Sequence, residues 1–255
     1  MTVTEHAPTA ALVDRFVTGL VPMVPLLAVW AHGSLAAGDY QPGRSDLDLV
    51  AVLSRPCSPE EESGLTLMHE RLGAAVPLAA KLHCGYVVTT ELDDPARPHL
   101  AWAHEEVTHR PITPVTRREL HEFGLVLYGP PPATLLPPVT DEELAGFVAW
   151  DLREFWRPLL DRPDLWLRDI WVDAAMLTLA RATVTLREGR LVTKHRALAV
   201  LREMGAPTRI VDDIERRRYA RPGPVQDDGW PTLRAELTVA FLASEIDAVS
   251  GRSRA

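Results

Sequence analysis

A chain of 255 residues, 46% of them apolar, is long enough for one large or two modest domains with a real core. Its formal charge of −8 argues against a sequence-independent nucleic-acid binder, which needs a basic face. No charged-then-apolar leader opens the sequence and no apolar run is long enough to span a bilayer. Cys57 and Cys84, the two cysteines, lack metal-ligand spacing and fit a reducing cytoplasm, so a cytoplasmic protein without membrane or nucleic-acid partners is expected.

Residues 9–20 place Leu12, Phe16 and Leu20 on one stripe, the pattern of an amphipathic helix, which Pro22 and Pro25 end. Residues 26–30 read as a short buried strand that leads into His32-Gly33-Ser34. A connection containing glycine and proline follows, then Asp46-Leu47-Asp48 and the apolar run 49–53, read together as a second strand. Strand side chains alternate in face, so both carboxylates point one way and Leu47 points into the core. Two such close carboxylates resist joint ionisation. A site that keeps both ionised usually holds a cation between them. Mg2+ selects these hard oxygens and retains waters and substrate phosphates as further ligands. Ser58, Pro59 and Glu61 then form a helix start with a capping box, and Leu65, Met68 and Leu72 give that helix its apolar face. Residues 82–89 read as a third strand. Residues 91–113, with Trp102, His104 and His109, read as loop with a short strand. Thr113-Pro114 opens a further helix that Gly124 ends, and 125–128 read as a last strand.

Residues 129–138 contain Pro130, Pro131, Pro132, Pro137 and Pro138 and read as a stiff, extended spacer. No strand pattern recurs beyond them. Thr140 and Glu143 form a second capping box for a helix to about residue 160. Further helices are expected over about 170–187, stopping at Gly189, over 193–204, stopping at Gly205, over 208–219 and over about 231–249, with a loop at 221–229. The expected plan is therefore an α/β domain with a mixed sheet, residues 1–130, followed by an all-α helical bundle, residues 131–255.

Gly33-Ser34, a connection, and Asp46-x-Asp48 on a strand resemble the signature of the DNA polymerase β-like nucleotidyltransferase superfamily. The resemblance implies that the Gly-Ser turn holds nucleotide phosphates and that the Asp pair holds Mg2+. The chemistry agrees. Gly33 lets the backbone approach a phosphate, the Ser34 hydroxyl and nearby N–H groups can donate to its oxygens, and paired metals can clamp the attacking and leaving oxygens of an in-line displacement. The stretches LYGPPPATLLPPVTDEEL (127–144), LTLARATVTLREGRLVTK (177–194) and IERRRYAR (214–221) are similar to the streptomycin/spectinomycin adenylyltransferases of the aminoglycoside antibiotic-resistance class. That likeness implies a helical domain closing an ATP and substrate cleft, ATP contacts at Ser34, Ser45, Arg181, Lys194 and Tyr219, and drug-pocket tryptophans at Trp102 and Trp156. Arg181 and Lys194 suit a triphosphate as cations.

The sequence departs from that family at two places. The family's third-strand glutamate, a general base, has no counterpart in KLHCGYVV, where His83 is its nearest equivalent. The family's substrate-binding carboxylate falls on Trp171, with Asp169 and Asp173 close by, and Asp173 is taken as the substrate residue. Plainer readings stand beside these: Arg181 as half of a structural ion pair, His83 as a hydrogen-bonded core histidine, the tryptophans as packing, and Arg216–Arg218 as a solvated helix face. The expected activity is Mg2+-dependent transfer of AMP from ATP to a hydroxyl of a small molecule, best an aminoglycoside or aminocyclitol, by a monomer. Asp46, Asp48 and His83 are the expected catalytic residues. The alternatives are the same chemistry on another acceptor, or a nucleotide-binding protein with little or no transfer.

Overall fold

The computed structural model describes residues 6–92, 94, 96–220 and 228–251. The chain divides into two compact units, Met1–Val139 and Thr140–Ala255.

The first unit runs α1 (Ala7–Leu20), β1 (Leu26–Ala31), α2 (Gly33–Ala36), β2 (Leu47–Leu53), α3 (Pro59–Ala75), β3 (Leu82–Val88), β4 (His99–Ala103), β5 (Glu106–Arg110), α4 (Pro114–Phe123), β6 (Leu125–Tyr128) and α5 (Pro132–Leu135). The strands form a mixed sheet in the order β5-β4-β3-β2-β1-β6. β2 and β3 are parallel, joined through α3, and the other neighbours are antiparallel. Parallel neighbours need such a crossover, because a tight turn cannot return the chain in the same direction. The capping box at Ser58 and Glu61 forms as the sequence predicts, fixing the start of α3.

Strand alternation builds a core on each face of the sheet. Val29, Ala31, Leu49, Ala51 and Leu53 face one way, against Leu12, Phe16 and Leu20 of α1 and Leu65 and Leu72 of α3. Ala28, Trp30, Val50, Val52 and Val87 face the other way, against Ile112, Leu120 of α4 and Leu136. Asp48 precedes Val50 by two residues and therefore lies on this second face, at its open end.

Two expectations change. Residues 91–113 contain a complete hairpin, β4 and β5, rather than a loop with a short strand. The proline-rich stretch is part of the first unit and not a spacer, so the division falls after Val139 rather than at residue 130. Pro130 accepts a hydrogen bond from Trp30 Nε1 at 2.8 Å, α5 forms over Pro132–Leu135, and Leu136 is buried in the second core. Prolines suit the first turn of a helix, where their missing N–H has no partner to lose.

The second unit is helical, with no strand among its described residues: α6 (Asp141–Trp150), α7 (Arg157–Leu159), α8 (Pro163–Trp166), α9 (Asp169–Glu188), α10 (Lys194–Glu203), α11 (Thr208–Tyr219) and α12 (Trp230–Gly251). The capping box at Thr140 and Glu143 starts α6 as expected. A π-helical turn over Asp151–Trp156 then carries it into α7. α9 is the central helix. It buries Val172, Ala175, Met176, Leu179, Ala180 and Val184, and α6, α8, α10 and α12 pack against it. Gly189 ends it at φ +68°, the left-handed cap that glycine adopts without a side-chain clash. Of the loop expected at 221–229, residues 221–227 lie outside the described residues. No described helix is long and apolar enough to cross a membrane.

Candidate active site

The carboxylate pair is built on a turn that glycine suits. After β1 the chain turns through Gly33 at φ +63°. His32 N–H bonds the Asp48 carbonyl at 3.0 Å, which ties the turn to β2. A Cβ on Gly33 would lie 2.7 Å from Asp48 Oδ2, inside any tolerable contact. The glycine therefore leaves both the backbone conformation and the space that the carboxylate occupies. Glu119 of α4, 6% exposed, holds the turn from behind. Its Oε2 accepts the Gly33 N–H at 3.2 Å and lies 3.0 Å from His32 Nδ1. Gly33→Ala is expected to cost about 1–2 kcal/mol for the left-handed backbone and also to displace the Asp48 carboxylate. Chemical denaturation checks the first effect and Mg2+ titration checks the second.

Asp46 immediately precedes β2, with Leu47 fully buried between it and Asp48. Lys81, just ahead of β3, places Nζ 3.4 Å from Asp46 Oδ1. In the parallel register Asp48 stands beside His83, whose Nδ1 lies 3.6 Å from Asp48 Oδ1. The His83 Nε2 is buried without a hydrogen-bond partner. Edge-on to the His83 ring, with centroids 4.6 Å apart, stands His104. His104 is exposed and forms, with Glu105, the tip of the β4–β5 hairpin. Partial burial, then the neighbouring His83 and Arg110, hold the His104 pKa below the usual histidine value.

The two carboxylates are about one-third exposed, at 38% and 34%. Among the described residues, no three His, Cys, Asp or Glu side chains assemble a complete metal cage. A pair of accessible carboxylates fits the usual binding of Mg2+, which takes one or two protein carboxylates and completes its shell with waters and substrate phosphates. Ser34 lies in the short α2. Ser45 is buried, and its Oγ accepts the Gln41 N–H at 3.0 Å, which organises the connection ahead of Asp46. Trp102 is not brought to this face. It pairs with Cys84, is 6% exposed and stacks on His69 of α3 at 4.7 Å. Since Cys84 belongs to the α1/α3 core, Trp102 packs in the interior on the opposite side of the sheet, which corrects its expected place in a substrate pocket.

In the second unit Arg181 of α9 donates from Nε to the Val192 carbonyl at 3.0 Å. This ties it to the segment just before Lys194, the first residue of α10. Tyr219 ends α11 and meets His195 edge-on at 5.2 Å. The three expected ATP-contacting residues of this unit are thus linked to one end of α10. Asp173 is held by Arg217, whose Nε and Nη2 reach its two oxygens at 3.2 and 2.5 Å, so its charge is matched inside the unit. Trp156 lies on the π-helical turn, donates to Asp151 at 3.0 Å and meets Trp171 edge-on at 6.3 Å. Burial raises the pKa of Asp151 against the opposing effect of that hydrogen bond. The sequence reading missed Glu119, Lys81 and His104 as parts of the first unit's site. Lys81 was legible, since it stands two residues before His83 on the same strand approach. Glu119 was not.

No family model matches the chain, and no curated protein matches its sequence. Among solved structures, the chain is similar to the spectinomycin adenyltransferase AAD(9) from Enterococcus faecialis, crystallised with ATP and spectinomycin. The TM-score is 0.71 at 14% identity, over 93% of this chain and 99% of that one. At that identity the likeness is one of fold alone.

Proposed function

We infer that the protein is a nucleotidyltransferase that moves AMP from ATP to a hydroxyl of a small molecule, with release of pyrophosphate. The observation that carries this reading is the packing of Asp48 against Gly33, 2.7 Å from where a Cβ would stand. It couples a glycine turn suited to phosphates with a carboxylate pair suited to a hard cation, in a chain with an adenyltransferase-like fold. Asp46 and Asp48 would hold Mg2+, which supplies charge neutralisation for the triphosphate when bound. Gly33 and Ser34 give backbone and hydroxyl donors to phosphate oxygens. Ser45 shapes the connection that presents Asp46. In the helical unit, Arg181 and Lys194 would be the candidate cations for a phosphate chain, and Tyr219 the candidate aromatic surface for a base. Trp156, beside Phe155 and Trp171, offers a stacking surface for a sugar-like acceptor. An aminocyclitol or aminoglycoside is the first acceptor class to try, because the neighbouring structure contains spectinomycin.

The test is incubation with α-labelled ATP, Mg2+ and a panel of aminoglycosides and aminocyclitols. Label is expected to move to a panel member, with pyrophosphate formed in equal amount. A second reading, a nucleotide binder without transfer, is favoured by one observation: β3 presents His83 rather than a carboxylate beside Asp48. ATP binding with no labelled product from any panel member selects that reading or a different acceptor. Failure to bind ATP overturns both readings.

A further inference from the structure

His83 places Nδ1 3.6 Å from Asp48 Oδ1 and buries Nε2 without a partner, so one ring nitrogen faces a carboxylate and the other is shut away from solvent. A base for an incoming hydroxyl is better served by an imidazole open to solvent. The β4–β5 hairpin brings one. Ala103 pairs with Glu106, which leaves His104 and Glu105 as a two-residue turn with φ of 56° and 63°. Turns with two positive φ values favour Asn-Gly, because an L side chain is strained there. Here the strained first position carries an imidazole, exposed and seated edge-on against His83 at 4.6 Å and 72°. Strain kept at a functional position is a known device for presenting a reactive group.

We propose that His104 is a catalytic residue, the general base that takes the acceptor's hydroxyl proton, and that His83 is the positioning residue that seats it beside Asp48. The assignment rests on the transfer reaction inferred above. In the step, the acceptor O–H bond gives its proton to a nitrogen of neutral His104. The oxygen's electron pair forms the new bond to the α-phosphorus of ATP. The bond from that phosphorus to the oxygen bridging to the β-phosphate breaks, and pyrophosphate leaves with its electron pair. The imidazolium then returns the proton to water. No oxidant or further reactant is needed.

The charged and titratable groups facing His104 are His83 on β3, Arg110 on β5, Lys81 ahead of β3 and Asp46 ahead of β2. Burial, His83, Arg110 and Lys81 push its pKa down from 6.5, and Asp46 opposes them. A rate that depends on a neutral imidazole falls as the ring takes up a proton at acid pH.

The experiment compares wild type, His104→Asn and His104→Ala in AMP transfer to spectinomycin, or to whichever panel aminoglycoside the wild type labels, between pH 5 and 8. Both variants are expected to lose about 10²–10⁴-fold in kcat, with KM for ATP unchanged and without the acidic limb of the wild-type profile. Asparagine suits a left-handed turn, so His104→Asn is expected to melt at or above the wild-type temperature, which separates lost chemistry from lost structure. Wild-type kcat in His104→Asn, persistence of the acidic limb, or a rate loss matched by weakened ATP binding would overturn the assignment alone. Absence of transfer by the wild type to every panel member would instead overturn the transfer reading, and this assignment with it.

Discussion

Asp48→Asn is expected to leave the fold intact and to lower nucleotidyl transfer by roughly 10³-fold, the size of effect seen when one preorganised electrostatic group is removed from a reaction centre. The substitution keeps the side chain's shape. It therefore still fits against Gly33, where the carboxylate oxygen already lies at the limit of approach, and still meets His83 across the β2–β3 register. What it removes is charge. A hard divalent ion bound by only two protein carboxylates depends on both, because waters and phosphates make up the rest of its shell. The thermal midpoint and the circular-dichroism spectrum are expected to match wild type, since the group is one-third exposed and lies outside both cores. Initial rates with α-labelled ATP give the first measurement and a melting curve the second. Transfer at the wild-type rate would remove Asp48 from the reaction.

The Gly33–Leu53 stretch was legible because its chemistry and its geometry share one short segment. Alternation over 48, 50 and 52 fixes which face the carboxylate takes, and a glycine suits the φ of +63° while leaving room for the Asp48 carboxylate. The same local logic made both capping boxes readable, at Ser58 with Glu61 and at Thr140 with Glu143, and it made the Gly189 stop of α9 readable. The β4–β5 hairpin was hidden because its turn is His104-Glu105, not the Asn-Gly or Asp-Gly that positive φ angles favour. Only the register of the formed sheet reveals it. The same unusual turn is what makes His104 informative once the fold is known.

Contacts between distant residues carried no local signal. Glu119 reaches Gly33 and His32 from α4, and nothing in PVTRRELHEF distinguishes it from a surface glutamate. Trp102 failed as a site residue for the converse reason. The sequence shows an aromatic residue in a poorly patterned region, while the β3–β4 register puts it beside Cys84, over His69. His69 itself is so buried that its pKa is pushed down to about 3, and its Nε2 lies 2.6 Å from the Tyr86 hydroxyl. A neutral, hydrogen-bonded imidazole makes a suitable stacking partner for a core tryptophan. The run Arg216-Arg217-Arg218, read as a solvated face, divides in the structure: Arg216 and Arg217 turn to Asp213, while Arg218 lies over Tyr219.

Asp213 is the residue whose loss is expected to cost the second unit most. It is 3% exposed on α11. It accepts from Arg216 Nη2 at 2.5 Å, from Arg217 Nη1, from Trp230 Nε1 at 3.2 Å and from Arg234 Nη1 at 3.5 Å. Burial alone would raise its pKa, but Arg216, Arg217 and Trp230 together hold it below the usual carboxylate range. Arg234 is itself 3% exposed. Its other partners are Asp169, which is more than half exposed, and the Leu167 carbonyl at 3.1 Å. Asp213→Ala therefore leaves buried cations short of negative charge, and breaking one side of such a pair costs about 3–5 kcal/mol. Asp173→Ala is the milder control, because Arg217 keeps Asp213. The charge origin has a pH signature. A carboxylate with a depressed folded pKa contributes its stability above its unfolded pKa of about 4, and loses it as the pH falls through the folded value. The stability gap between wild type and Asp213→Ala is therefore expected to be widest at pH 7 and to narrow below about pH 4. Urea denaturation at both pH values measures it, and a gap that did not change with pH would assign the loss to packing instead of charge.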